Sequence, residues 1–427
     1  MASVENSCPH RPSGGDLELN VLSVLIAARN VFRHRARSLF AMSAIIFGVV
    51  ALLISAGFIE WIYSAFRESV IQSRFGHLQI VRTGYFQNGT SDPYKYLIPD
   101  DPKFDAMLTA DPRVRVISPR IAFSGLLSHE ERTVSFFGEG VRPETENQIS
   151  KMLTIASGAD LSSSDTQGII VGDGLATAAG LKVGDKIVLL VTTSSGGVNG
   201  VDAYVRGIFF TSTKAFDDAS IRVPIDLARN LIRAQGAHSW VILLNDTAET
   251  DSAMRAIQAN LSVTWGGLEV VPWYQLADFY NKTVELFSRQ VNVVRGIIAL
   301  IITFSISNTM TVSVLERTGE IGTLMAMGHR RRKILSAFLT EGFLLGVFGG
   351  ILGLVVGIAL AKLISTIGIP MPAPPGSTRG FTGAILLTPA LELNAAMIVL
   401  VTAMLASLYP AWKASRMVIV DALRHNR

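Results

Sequence analysis

The clearest chemical pattern in the chain runs from Glu316 through Arg317, Gly319, Glu320, Ile321, Gly322, Leu324, Met325, Ala326 and Met327 to Gly328. His329 and the four basic residues Arg330 to Lys333 follow it. On a helix, Ile321, Leu324, Met325 and Gly328 share one face. Glu316 and Glu320 stand one turn apart at the N-terminal end, where the helix dipole favours acids. The basic residues stand at the other end, where the dipole and anionic lipid favour them. A short amphipathic helix of this kind is suited to dock in a groove on a partner. The chemistry it offers is binding, not catalysis.

Other residues that could do chemistry are scattered. No Gly-x-x-x-x-Gly-Lys-Ser/Thr loop occurs, so the sequence offers no phosphate cradle of that kind. Gly172-Asp173-Gly174 lacks the third glycine of a dinucleotide fingerprint and reads as a strand-to-helix turn. The seven histidines, His10, His34, His77, His129, His238, His329 and His425, show no zinc-protease spacing. Glu130-Glu131 and Asp217-Asp218 read as solvated turn charges. A single cysteine, Cys8, excludes an intramolecular disulfide and a cysteine-rich zinc site. Gly-x-Ser-x-Gly is absent, and no nucleophile set stands out. The residues favour a non-catalytic chain that binds no metal.

What positions the amphipathic segment is a membrane. Of 427 residues, 17% are charged, below the roughly 25% of soluble domains. Four runs lack charge altogether: Leu39 to Ile59, Gly296 to Leu315, Gly342 to Ala361 and Leu393 to Trp412. Each reaches the roughly 20 residues that span a bilayer core. Arg29, Arg33, Arg35 and Arg37 precede the first run, Arg330 to Lys333 lie between the second and third, and Lys413 and Arg416 follow the fourth. The positive-inside rule then puts both termini and the 316–333 segment in the cytoplasm, and Glu60 to Arg295 outside. The net charge of +4 is the sum of a slightly acidic outer segment and a basic remainder, too small to suggest nucleic-acid binding.

The resulting division is a cytoplasmic tail and amphipathic helix over 1–38, with Arg29, Arg33 and Arg37 either reaching lipid headgroups or acting only as a topology signal. A transmembrane helix follows over 39–60 and an extracytoplasmic domain with stalk helices over 61–290. Next come a transmembrane helix over 291–315, a cytoplasmic coupling helix over 316–333 and a transmembrane helix over 334–364. An external Pro-rich loop spans 365–392, a transmembrane helix 393–413 and a cytoplasmic tail 414–427. Within the outer domain a β-α-β pattern appears twice. His77 to Arg82, Asp101 to Ala110 and Val114 to Ser118 form the first; Trp240 to Leu244, Asp251 to Asn260 and Leu268 to Val271 form the second. The middle, about 120–237, reads as an inserted β-rich module. In the third run Gly349, Gly353 and Gly357 recur every four residues and make a face for close helix packing, within the chain or in a dimer. Glu341 and Arg295 stand at the edges of their runs and read as snorkelling groups.

The pattern Glu316-Arg317, Glu320-Ile321-Gly322, Leu324, Ala326, Gly328 resembles the coupling segment of FtsX-like permeases. These are the membrane subunits of MacB-type ABC transporters and lipoprotein-release complexes. Pro410-Ala411, Ala414, Asp421-Ala422-Leu423-Arg424, the start Arg29-Asn30, and Ile170 to Asp185 resemble the same family. The resemblance implies an α-helical membrane protein with four transmembrane helices. It also implies a large α+β periplasmic core domain between helices one and two.

As function, the resemblance implies a multi-pass inner-membrane permease subunit without cofactor of its own. ATP and Mg would be bound by a partner ABC ATPase that docks on Glu316, Arg317, Glu320, Ile321, Gly322, Leu324, Ala326 and Gly328. The permease would pair with itself or a related permease, contact membrane lipids and an adaptor or carrier protein, and bind no nucleic acid. ATPase closure would act by mechanotransmission on lipoprotein, lipid or other hydrophobic cargo. The alternative within the resemblance is a signal transducer that regulates cell-wall enzymes.

Overall fold

Charge-free runs become long helices because a helix satisfies every backbone group internally, whatever surrounds it. The computed structural model describes residues 35–89, 92–211, 213–372 and 380–418. Among the described residues, four helices are long and apolar enough to cross a membrane: α1 (Arg35–Val70) and later helices at Asp278–Glu316, Arg331–Ile367 and Pro389–Ser415. The shortest, with 27 residues, measures about 40 Å at 1.5 Å per residue, more than a bilayer core of about 30 Å. Arg29, Arg33, Pro374, Pro375 and the stretch Asp421–Arg424 lie outside the described residues.

The chain forms two units. The second, Tyr63–Glu285 with Pro370–Thr382, is built on a ten-stranded sheet, and Ile369–Met371 pairs separately with Phe381–Gly383. Its strands are β1 (Leu78–Arg82), β2 (Val114–His129), β3 (Arg132–Val141), β4 (Thr154–Gly158) and β5 (Gly168–Gly172). They continue as β6 (Lys186–Thr192), β7 (Val198–Phe210), β8 (Ser220–Pro224), β9 (Ser239–Leu244) and β10 (Leu268–Pro272). The order is β10-β1-β9-β2-β3-β8-β5-β7-β4, with β6 bridging β2 and β7. Both β-α-β patterns fold as strand, helix, strand, with α2 (Pro102–Thr109) and α6 (Thr250–Thr264) as their helices; α3 (Pro143–Ile149), α4 (Asp173–Ala179) and α5 (Ile225–Ile232) lie between these two in sequence.

Local chemistry explains the elements. Asp101 caps α2 by accepting from the Lys103 amide, and Pro102 occupies the first turn, where its missing N–H costs nothing. Ala253, Ile257 and Leu261 recur every four residues in α6 and are buried. β9 is buried along its whole length and lies between β1 and β2, the place for a continuous apolar run. The core gathers Leu78, Ile80, Phe104, Ile121, Phe136, Val171, Leu231 and Trp240.

β2 is longer than the sequence reading, which ended a strand at Ser118. Val114 to Arg120 pair with β9, and Arg120 to His129 pair with β3. Pro119 has no amide to donate, but the strand changes partner beside it and continues. One sheet therefore runs through the position where the inserted module was expected to begin.

The first unit, Met1–Ile62, Leu286–Ile369 and Gly383–Arg427, holds the other core. With the later helices labelled α7 (Asp278–Glu316), α8 (Thr318–Ala326), α9 (Arg331–Ile367) and α10 (Pro389–Ser415), that core packs Ile45, Val49, Leu53, Ile302, Ile306, Met310, Phe338, Val399 and Ala403.

Candidate coupling site

The site is set by where α7 stops. Arg317 leaves helical geometry (φ −97°, ψ 15°), and α8 restarts at Thr318. The Thr318 hydroxyl donates to the Leu315 carbonyl at 2.6 Å, meeting one of the acceptors that a helix end leaves open. At the other end Gly328 takes φ +87°, a conformation natural to glycine. The Gly328 amide donates to Met325 O at 3.0 Å and the His329 amide to Leu324 O at 3.1 Å, the pair of bonds that closes a Schellman cap. So Arg317 and Gly328 fix both ends of the segment.

The two faces of α8 differ. Thr318, Ile321 and Gly322 are buried; Ile321 belongs to the core of the first unit, and half-buried Met325 packs against that core. Burying Ile321 contributes about 1.5–3 kcal/mol to holding α8 in place. Glu320, Thr323, Leu324, Ala326 and Met327 are exposed, with Met327 at 66%. Glu320, Thr323, Leu324 and Met327 follow the i, i+3, i+4, i+7 rule and form one outward stripe. The expected single face of Ile321, Leu324, Met325 and Gly328 is thus divided: Ile321 and Met325 anchor the helix, while Leu324 faces away. Glu316 and Gly328 are also exposed.

Glu341 departs from the snorkelling reading. It is 8% exposed, and its Oε2 accepts from Arg317 Nη1 at 3.2 Å. Arg317 Nε donates to Glu320 Oε2 at 3.1 Å, and the guanidinium lies over the Phe338 ring, 5.4 Å from its centroid. A buried carboxylate needs such a partner. This contact joins the start of α8 to α9, and local spacing gives no sign of it because 24 positions separate the two residues.

The glycine face of α9 meets α1. A Cβ on Gly349, Gly353 or Gly357 would come within 2.8, 2.6 and 2.6 Å of Ile45, Val49 and Leu53 respectively. Both series advance four residues at a time in the same direction, so α1 and α9 run parallel here. A second pair of glycines faces α10. Gly342 and Gly346 approach Ser407 and Ala403 of α10 to 2.5 and 2.7 Å in the same sense, with antiparallel register. Small residues on both sides let α9 pack closely against two helices.

Gly172-Asp173-Gly174 joins β5 to α4 and is packed closely by Asp217 and Asp218. A Cβ on Gly172 would stand 2.1 Å from Asp217 O, and one on Gly174 would stand 1.8 Å from Asp218 Oδ1, so the turn is filled by its neighbours. Asp217 is not a solvated charge as expected: it is 1% exposed and accepts from the Thr211 amide and hydroxyl. Burial pushes its carboxyl above the ordinary range against those bonds. Asp218 is exposed and pairs with Lys214.

Among the described residues, long apolar helices thus pack together with a short two-faced helix between the second and third of them. The model of the MacB-like periplasmic core domain matches residues 38–260, and that of the FtsX-like permease C-terminal region matches 292–419. The chain belongs to this family of FtsX-like permeases with a MacB-like periplasmic core domain. It is 24% identical over 347 residues to the macrolide export ATP-binding/permease protein MacB of Acinetobacter baylyi, covering 78% of this chain and 50% of that protein. It is also 24% identical over 343 residues to the lipoprotein-releasing system transmembrane protein LolC of Xylella fastidiosa, covering 75% and 80%. The chain thus spans half the length of the first relative and four fifths of the second. Among solved structures, the periplasmic region of MacB from Actinobacillus actinomycetemcomitans aligns with a TM-score of 0.35 at 14% identity, over 50% of this chain and 95% of that one.

Proposed function

We propose that the chain is the permease subunit of an ABC transporter complex, in which a separate ATPase subunit binds ATP and Mg and docks on the outward stripe of α8. The observation that carries the reading is the two-faced geometry of α8. One face is fixed in the helix bundle through Ile321 and Met325, and Arg317 bonds to Glu341 of α9. The opposite face leaves Glu320, Leu324 and Met327 open to a partner. A push on that stripe reaches α9 through a charge-assisted bond and through a packed core that resists compression.

In this reading the termini and α8 are cytoplasmic, and the ten-stranded unit is an extracytoplasmic domain inserted between the first two transmembrane helices. The permease works as a homodimer or with a related permease. The helices carry ATP-driven motion outward to export or extract lipoprotein, lipid or other hydrophobic cargo. The match to LolC supports the lipoprotein class, and the match to MacB supports export. The match over 292–419 also favours a second reading, a transducer that regulates extracytoplasmic cell-wall enzymes. The size of the sheet unit weighs against it, because that branch implies a smaller outer domain.

The test uses the complex purified from its native membrane. Replacing Glu320 or Leu324 should leave the permease folded while ATP turnover no longer drives cargo release. Release at the wild-type rate in both variants would overturn the proposal.

A further inference from the structure

A buried ionic lattice sits at the end of α1, within the sheet unit, and the function described so far does not use it. Past Val70 the helix widens into a π-turn, Ile71–Phe75, and stops at Gly76 with φ +63°. A helix end leaves carbonyls without partners. Here two arginines from separate strands fill that need. Arg222 Nη2 of β8 donates to Ser73 O at 2.9 Å, and Arg120 Nη1 of β2 donates to Arg74 O. Arg222 is 1% exposed and Arg120 5%.

Each arginine is held from behind. Arg120 forks onto Glu146, with Nη2 to Oε1 at 2.6 Å and Nε to Oε2 at 3.1 Å. Arg222 Nε donates to Glu139 Oε2 at 3.0 Å and its Nη1 to Ser150 Oγ at 2.8 Å. Glu146 also accepts from Ser118 Oγ at 3.1 Å and Ser150 Oγ at 2.5 Å. Burial pushes the Glu146 carboxyl up, and the arginine charges and hydrogen bonds outweigh this and hold it at about 2. The Arg120 and Arg222 guanidiniums offset the two carboxylates, and the Arg74 charge acts on Glu139 as well.

A second, smaller anchor lies one turn earlier. The Leu244 amide donates to His77 Nδ1 at 3.0 Å, which leaves Nε2 to donate to Thr247 Oγ1 at 2.9 Å, and that hydroxyl donates to Glu68 Oε1 of α1 at 2.8 Å. Val70 and Ile71 also pack on Val116, Ile149, Val241 and Leu243. Apolar contact is non-directional and permits a helix to turn or slide in its seat. Bonds from fixed guanidinium forks to successive carbonyls fix both rotation and rise.

We infer that Arg120 and Arg222 are positioning residues that lock the tip of α1 into the sheet, so that the tip and the sheet move together. The inference rests on the permease reading for the source of the motion, while the lock itself stands on the geometry at the tip. Lysine keeps the charge but cannot reproduce the fork.

The experiment measures amide hydrogen exchange in the complex purified from its native membrane, first without nucleotide and then during ATP turnover. Without nucleotide, Arg222→Lys should raise exchange at 71–76 by roughly tenfold while the remaining sheet stays protected. Thr247→Val, which removes the hydroxyl that joins His77 to Glu68, should raise it less and closer to residue 68. During turnover the wild type should show a change in protection in β2 and β8 that Arg222→Lys loses while retaining ATP hydrolysis. Because Met152 N donates to Gln72 O at 3.3 Å, a Gln72→Cys/Met152→Cys disulfide in a Cys8→Ser background should restore that response, reversibly on reduction. Unchanged exchange at the tip in both variants overturns the lock. A retained β2 and β8 response in Arg222→Lys overturns transmission through it. A wild-type complex with no ATP-dependent change overturns the permease reading instead, and the nucleotide-free exchange then still decides the lock.

Discussion

Arg317 lies between two carboxylates on different helices, Glu320 Oε2 at 3.1 Å and Glu341 Oε2 at 3.2 Å, and of the two only Glu341 is buried. The exposed pair contributes little, because solvent screens it. The buried one fixes α8 to α9. Arg317→Ala and Glu341→Ala should each lower stability by about 1–3 kcal/mol, and the double variant should lose less than the sum. Thermal unfolding in lipid nanodiscs reads this cycle, and strictly additive losses would show that the two groups do not act on each other.

The glycine contacts of α9 set a second expectation. At Gly353 a Cβ already stands 2.6 Å from Val49 Cβ, so even alanine requires the helices to separate. Gly353→Leu should cost about 1–3 kcal/mol through overpacking, and Gly353→Ala less. An unchanged thermal midpoint and an unchanged oligomeric state would contradict this.

Acid should weaken the sheet unit in a defined window. Burial pulls His77 down to about 4 against the pull of Glu68 and Asp246, and it pulls His238 down to about 4 against its bond to Pro93. Between 6.5 and 4 both stay neutral when folded and take up a proton when unfolded. The unfolded state then binds more protons, so stability present above 6.5 is lost as pH falls toward 4. Each histidine contributes on the order of 3 kcal/mol. The melting transition of this unit should fall steadily across that window, and His238→Asn should flatten the slope. A transition independent of pH from 7 to 4.5 would refute the assignment, a range about the ordinary histidine pKa near 6.5.

No Gly-x-x-x-x-Gly-Lys-Ser/Thr motif occurs in the sequence, which sets a fourth expectation. The purified 427-residue chain should show no ATP turnover. Hydrolysis by a preparation free of any ATPase subunit would remove the need for a separate one.

Periodic features were legible in the sequence because they repeat locally. The four apolar runs, both β-α-β patterns and the Gly349-Gly353-Gly357 face all follow from spacing alone. Features made by distant residues were not. Arg222 reaches Ser73 across 149 positions, and nothing near either residue marks the contact. Asp217 looked solvated beside Asp218, but its carboxylate is taken up by Thr211. On α8 the apolar residues Ile321, Leu324 and Met325 are alike in type, so only the bundle decides which face inward. The same bundle buries Glu341 at what composition marks as the edge of a span.

The central claim, that the outward stripe of α8 is where an ATPase docks, is tested most directly by photo-cross-linking in the native membrane. A photoreactive residue at position 324 or 327 should cross-link to a protein that carries a phosphate-binding loop, identified by mass spectrometry. The same residue at position 325, on the anchored face, should not. No such product from 324 and 327, or equal products from all three positions, would contradict the account.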